Sequence, residues 1–69
     1  MLSVTDRFFL FVLKTAGGKI QKQDLENITE FSGDTIRHAE NRLIFSHKIR
    51  KIHELVPGQG IRVFYEEIV

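Results

Sequence analysis

The sequence predicts an α+β domain of three helices followed by a C-terminal β-hairpin, and three observations carry that reading. Apolar residues recur at helical spacing in three stretches before residue 46. From Ile49 onward β-branched and aromatic residues dominate, and Pro57-Gly58 divides them in two. The 69 residues make one domain, 1–69; 42% are hydrophobic and 28% charged, enough for one small core and too apolar for a disordered tail.

Ser3 and Asp6 have the spacing of a capping box, which predicts a first helix from about Val4 to Ala16, stopped at Gly17-Gly18. On the helical wheel Val4, Phe8, Phe9, Val12, Leu13 and Ala16 form one apolar face, with Asp6, Arg7 and Lys14 opposite. Leu10 and Phe11 are surplus to that face. Either later segments cover them, or with Phe8 they form a subunit contact. A chain this short without cysteine has no disulfide to lean on, so a homodimer through Phe8, Leu10 and Phe11 is expected.

Lys19-Ile20 reads as a short extended stretch. A second helix fits Gln21 to about Thr29, with Leu25 and Ile28 inward and Lys22, Gln23 and Glu26 outward. Glu30-Phe31 is a tight connection. Ser32 then caps a third helix in which Ile36, Ala39 and Leu43 share one face, fading at Ser46-His47. Ile49–Val56 and Ile61–Val69 are the two strands, and Val56-Pro57-Gly58-Gln59 suits a type II turn. Ile49 and Ile52 have opposite parity, so a bulge or a strand covered on both faces is required.

Helices two and three, joined by about three residues, have helix-turn-helix spacing over about 21–46, and the hairpin over about 49–68 stands as a wing. Lys19-Ile20-Gln21-Lys22-Gln23-Asp24-Leu25 through Phe31-Ser32-Gly33-Asp34-Thr35-Ile36 resembles the helix-turn-helix of small winged-helix transcription regulators, the MarR- and ArsR-like group. Ile49-Arg50-Lys51-Ile52 and Arg62-Val63-Phe64-Tyr65 are similar to the two wing strands of that group. The resemblance implies a winged helix-turn-helix fold and DNA binding. Glu40 departs from it, standing where the group has an apolar residue, and so does Lys48, in place of a common glycine.

The net charge is only +1, which excludes a polybasic condenser. Between residues 37 and 53, however, Arg37, Arg42, Lys48, Arg50 and Lys51 face a single acid, Glu40, whereas the first 31 residues balance at four charges of each sign. That gathering predicts a phosphate-facing surface for double-stranded DNA. Arg37, His38 and Asn41, with Asp34, are the base-contact candidates on the third helix. Thr35, Arg42, Lys48, Arg50, Lys51, Gln59 and Arg62 are assigned to the backbone and wing. Phe45 lies on the Asn41 side of the wheel, near the DNA or turned under the hairpin.

His38, His47 and His53 have no ligand spacing, so no metal and no cofactor are expected. No nucleophile–base arrangement is visible, so the chain reads as a non-enzyme. Its longest apolar run, Phe8–Leu13, is too short for a membrane span, and a cytoplasmic protein is expected. The competing expectation is a protein–protein adaptor without a DNA role.

Overall fold

The three helices pack on one side of a three-stranded antiparallel sheet whose central strand is the last in sequence. A computed structural model describes residues 2–69, with α1 (Val4–Thr15), β1 (Lys19–Gln21), α2 (Lys22–Thr29), α3 (Gly33–Phe45), β2 (Ile49–Val56) and β3 (Gly60–Glu67). The sheet order is β1-β3-β2. The arrangement is compatible with a winged-helix-like fold. Pairing of β1 with β3 is the part that the sequence left unread, because three residues, Lys19–Gln21, carry no periodicity of their own.

The helix ends follow local chemistry. Ser3 Oγ accepts from the Asp6 amide at 3.1 Å while the Asp6 carboxylate accepts from the Ser3 amide at 3.3 Å, the reciprocal capping box. At the far end the Gly18 amide donates to Leu13 and the Gly17 amide to Lys14, with Gly17 at φ +91°, a Schellman closure. Helix α3 closes the same way. His47 takes the left-handed position at φ +58°, and the Lys48 amide donates to Leu43. That explains the missing glycine, because the positive φ falls one residue earlier, on a histidine that tolerates it. The two closures feed β1 and β2, and the carbonyls of Gly18 and Lys48 accept from the amides of Glu67 and Ile68. The end of β3 is thereby gripped from both sides.

The core comprises Phe9, Val12, Leu13, Ile20, Leu25, Ile36, Ala39, Leu43, Ile49 and Tyr65. The α1 face that reaches it is narrower than its apolar pattern. Val4 and Ala16 are exposed, Phe8 is partly so, and Leu10 packs against the core margin. Asp6, expected on the outward side of α1, is buried and paired with Arg42. Ile28 is 59% exposed rather than inward, because an eight-residue helix lodges only Leu25 in the core. Phe45 is not tucked under the hairpin; it ends α3 in solvent at 86% exposure.

The hairpin is unbulged, pairing continuously from Ile49 with Glu67 to Val56 with Gly60. Its turn has Gly58 at φ +82° and the Gln59 amide donating to Val56. Ile52 faces away from Ile49, opposite Phe64 on the far side of the sheet. Neither a bulge nor a covered second face resolves the parity conflict: Ile52 lies half-buried on the face of the sheet away from the helices. Among the described residues no helix is long and apolar enough to cross a membrane.

Tyr65, in the central strand, ties the layers together. Its ring meets Phe9 edge-on at 5.0 Å, and its hydroxyl donates to the buried Glu40 carboxylate at 2.8 Å. The Lys51 ammonium contacts the other oxygen of that carboxylate at 2.8 Å. Burial pushes the Glu40 carboxyl up, but the hydrogen bonds from Lys51 and Tyr65 outweigh it and hold the group below the ordinary glutamate range. The Tyr65 hydroxyl is pushed well above its ordinary value by burial and by the adjacent carboxylate. Tyr65→Phe removes one hydrogen bond to a charged acceptor without changing the packing, so denaturant unfolding is expected to show a loss of about 1.5–3 kcal/mol.

Candidate nucleic-acid interface

The phase of α3 decides which residues can meet a ligand. Ile36, Ala39, Glu40 and Leu43 turn inward, so Asp34, Arg37, His38, Asn41 and Phe45 turn outward and are all exposed. The start of the helix is fixed by Ser32, whose Oγ accepts from the Thr35 amide at 3.2 Å. The Thr35 hydroxyl lies 2.8 Å from Ser32 Oγ and belongs to that cap, which leaves it half-buried and less available to a phosphate.

His38 and Asn41 make no side-chain hydrogen bond among the described residues, and both are exposed. Arg37 places one nitrogen 3.2 Å from Asp34. Both side chains are well exposed, so the pair is weak and opens at little cost. The base-contact candidates therefore share one accessible face.

The backbone candidates divide. Arg42 grips Asp6 with Nε at 2.9 Å and Nη2 at 2.8 Å, tying α3 to the N-terminus of α1. Lys51 is committed to Glu40. Arg50 pairs with Glu66 at 3.1 Å across the outer face of the sheet. Lys48, exposed at the start of β2, has no carboxylate partner among the described residues. Gln59 is exposed in the hairpin turn, while Arg62 is half-buried and its Nε lacks an acceptor. Arg62 lines an open cleft of about 450 Å³ with Gln21, Lys22, Gln23 and Glu26.

These pairings revise the charge argument. The excess of cations between residues 37 and 53 is local to the sequence. Folding brings Asp6, Asp34 and Glu66 to three of the cations, and Glu40 turns inward to a fourth. Arg42 and Lys51, read as phosphate contacts, hold buried carboxylates instead. Glu40 was findable, since it stands four residues after Ile36 on the core stripe. Asp6 was not, because its role as a cap already accounted for an acid there.

The expected dimer surface is also divided. Leu10 packs on the core, Phe8 meets Phe31 edge-on at 5.6 Å, and Phe11 is 65% exposed. Phe8, Phe11 and Val12 line an apolar cleft of about 270 Å³ with Thr15, Ala16 and Ile28. No protein-family model, curated protein or solved structure matches the chain.

The Arg42 guanidinium, outweighing the effect of burial, holds the Asp6 carboxyl below its ordinary value. Its contribution to stability is therefore complete above the unfolded-state value near pH 4 and is lost as pH falls through the lower folded-state value. Asp6→Asn is expected to lower stability at neutral pH and to flatten its decline between about pH 5 and pH 2, measured by chemical unfolding across that range.

Proposed function

We propose that this chain is a sequence-specific double-stranded DNA-binding protein, a transcription regulator that sets the outward face of α3 in the major groove with the hairpin beside it. The observation that carries the reading is the accessible Arg37–His38–Asn41 face on a helix whose rotation is locked by its buried side. An α-helix fits the major groove, where Arg37 can pair with a guanine edge and Asn41 with an adenine edge. His38 reaches a base or a phosphate. Lys48 and, at the wing, Gln59 and Arg62 supply the backbone contacts, whereas Arg50, expected among them, is held by Glu66 on the outer face of the sheet.

With so many cations already paired, electrostatics is the smaller part of this binding. About two or three phosphate contacts give a salt slope of roughly −2 to −3 in log–log form, far from that of a polycation. Specificity then rests on the helix face. A second reading, a protein–protein adaptor, is favoured by the apolar cleft beside Phe11 and Ile28, which DNA would leave uncovered.

In vitro selection of bound duplexes, followed by anisotropy titrations in varied salt, tests the proposal. Arg37→Ala is expected to reduce discrimination at one base position by about 1–3 kcal/mol. Lys48→Ala is expected to weaken all duplexes alike and lower the salt slope by about one. Failure to select any duplex at low salt overturns the DNA reading and leaves the adaptor.

A further inference from the structure

The outer strand β2 leaves one long edge of the sheet open among the described residues. In the order β1-β3-β2 this strand carries no neighbour on its second side among the described residues, and over eight residues it has no bulge and no proline. Open edges of that kind are normally guarded by an outward lysine or a kink. Here the one lysine within the strand, Lys51, is turned to Glu40, which leaves Arg50 and Glu54 as the charges on the outer face of the edge.

Backbone directions follow from the ladder. The Ile68 amide donates to the Lys48 carbonyl, so in this register the even residues of β2 bond to β3. The amides and carbonyls of Ile49, Lys51, His53 and Leu55 consequently point to the open edge. Their side chains share the helix-bearing face with Tyr65, while Arg50, Ile52 and Glu54 lie on the other face with Phe64 and Glu66.

We propose that a second copy of this chain pairs antiparallel along β2, with the two-fold axis at Ile52, to make a continuous six-stranded sheet. The side chains select that register. Centred on Arg50, Lys51 or Glu54, the pairing sets a like charge against itself. Centred on His53, it sets Arg50 against Val56 and Glu54 against Ile52. Centred on Ile52, it sets Arg50 opposite Glu54 of the second copy, twice by symmetry, in the non-hydrogen-bonded positions where side chains approach most closely.

The pairing inside each copy extends this match. Lys19, Glu66 and Arg50 form one row across β1, β3 and β2. Glu54, opposite Arg62 in the register, is held within the copy by the Lys19 ammonium, which reaches it across the Phe64 ring, so the second copy's Arg50 adds to a pair that already exists. Joined at Ile52, the rows alternate in sign through Lys19, Glu66, Arg50, and then Glu54 and Arg62 of the second copy. Beside them Phe64 and Ile52 meet the same two residues across the axis in an apolar row. Leu55, 76% exposed in a single copy, lies opposite Ile49 of its neighbour. This contact replaces the α1 surface as the dimer interface and does not use the outward face of α3.

Charge reversal in DNA-free protein tests it by sedimentation equilibrium. Arg50→Glu alone and Glu54→Arg alone each set like charges together and are expected to raise the dimer Kd at least about tenfold. Mixed in equal amounts they are complementary, and association is expected to return to within about threefold of the unaltered chain. In the unaltered chain, amide exchange at Lys51, His53 and Leu55 is expected to slow as concentration rises through the dimer Kd. The proposal is overturned if the unaltered chain stays monomeric at millimolar concentration, if exchange at those amides ignores concentration, or if the mixture associates no better than its components. Because no DNA is present, none of these outcomes bears on the DNA reading.

Discussion

The buried carboxylate of Glu40 constrains the rest of the molecule. A charge taken out of water must be met by donors, and here one comes from each of two strands, the hydroxyl of Tyr65 and the ammonium of Lys51. An apolar residue at position 40 would pack against whatever rotation the helix adopted. The carboxylate accepts only the rotation that brings it to those donors, so it fixes α3 against the sheet. The accessible face of α3 is a consequence of what its hidden face requires.

The same economy governs the cations. The chain has nearly equal numbers of acids and bases, and folding spends many of them on each other. Arg42 with Asp6 joins α1 to α3, the helix that would read DNA, and Lys51 with Glu40 joins α3 to the hairpin. Partly buried pairs of this kind specify an arrangement more than they add stability, because desolvation offsets much of the attraction. What is left for a polyanion is modest. A reading built on helix-face hydrogen bonds is therefore better supported than one built on a basic patch.

A small core and a long hairpin pull in different directions. The helices cover only the base of the sheet, so Leu55 and Ile61, directly opposite each other near the turn, stand in solvent. The proposed pairing along β2 would cover part of that surface and close an open row of backbone groups. The alternation of charge on the outer face would make that closure selective for one register.

Much of this was legible in the residues themselves. Caps, turns and periodicity act over a few positions, so Ser3 with Asp6, Gly17, Ser32, the Ile36–Ala39–Leu43 stripe and the Pro57-Gly58 turn each declared its element. The outward set of Arg37, His38 and Asn41 followed from the same stripe. Tertiary structure alone decided which charges were free, because Asp6 reaches Arg42 across 36 positions and Tyr65 reaches Glu40 across 25. It also decided that β3 is central, and so that β2 has an open edge. Local geometry is set by the nearest few bonds, but the partner of a charge or a strand is set by whatever the packed core carries alongside it.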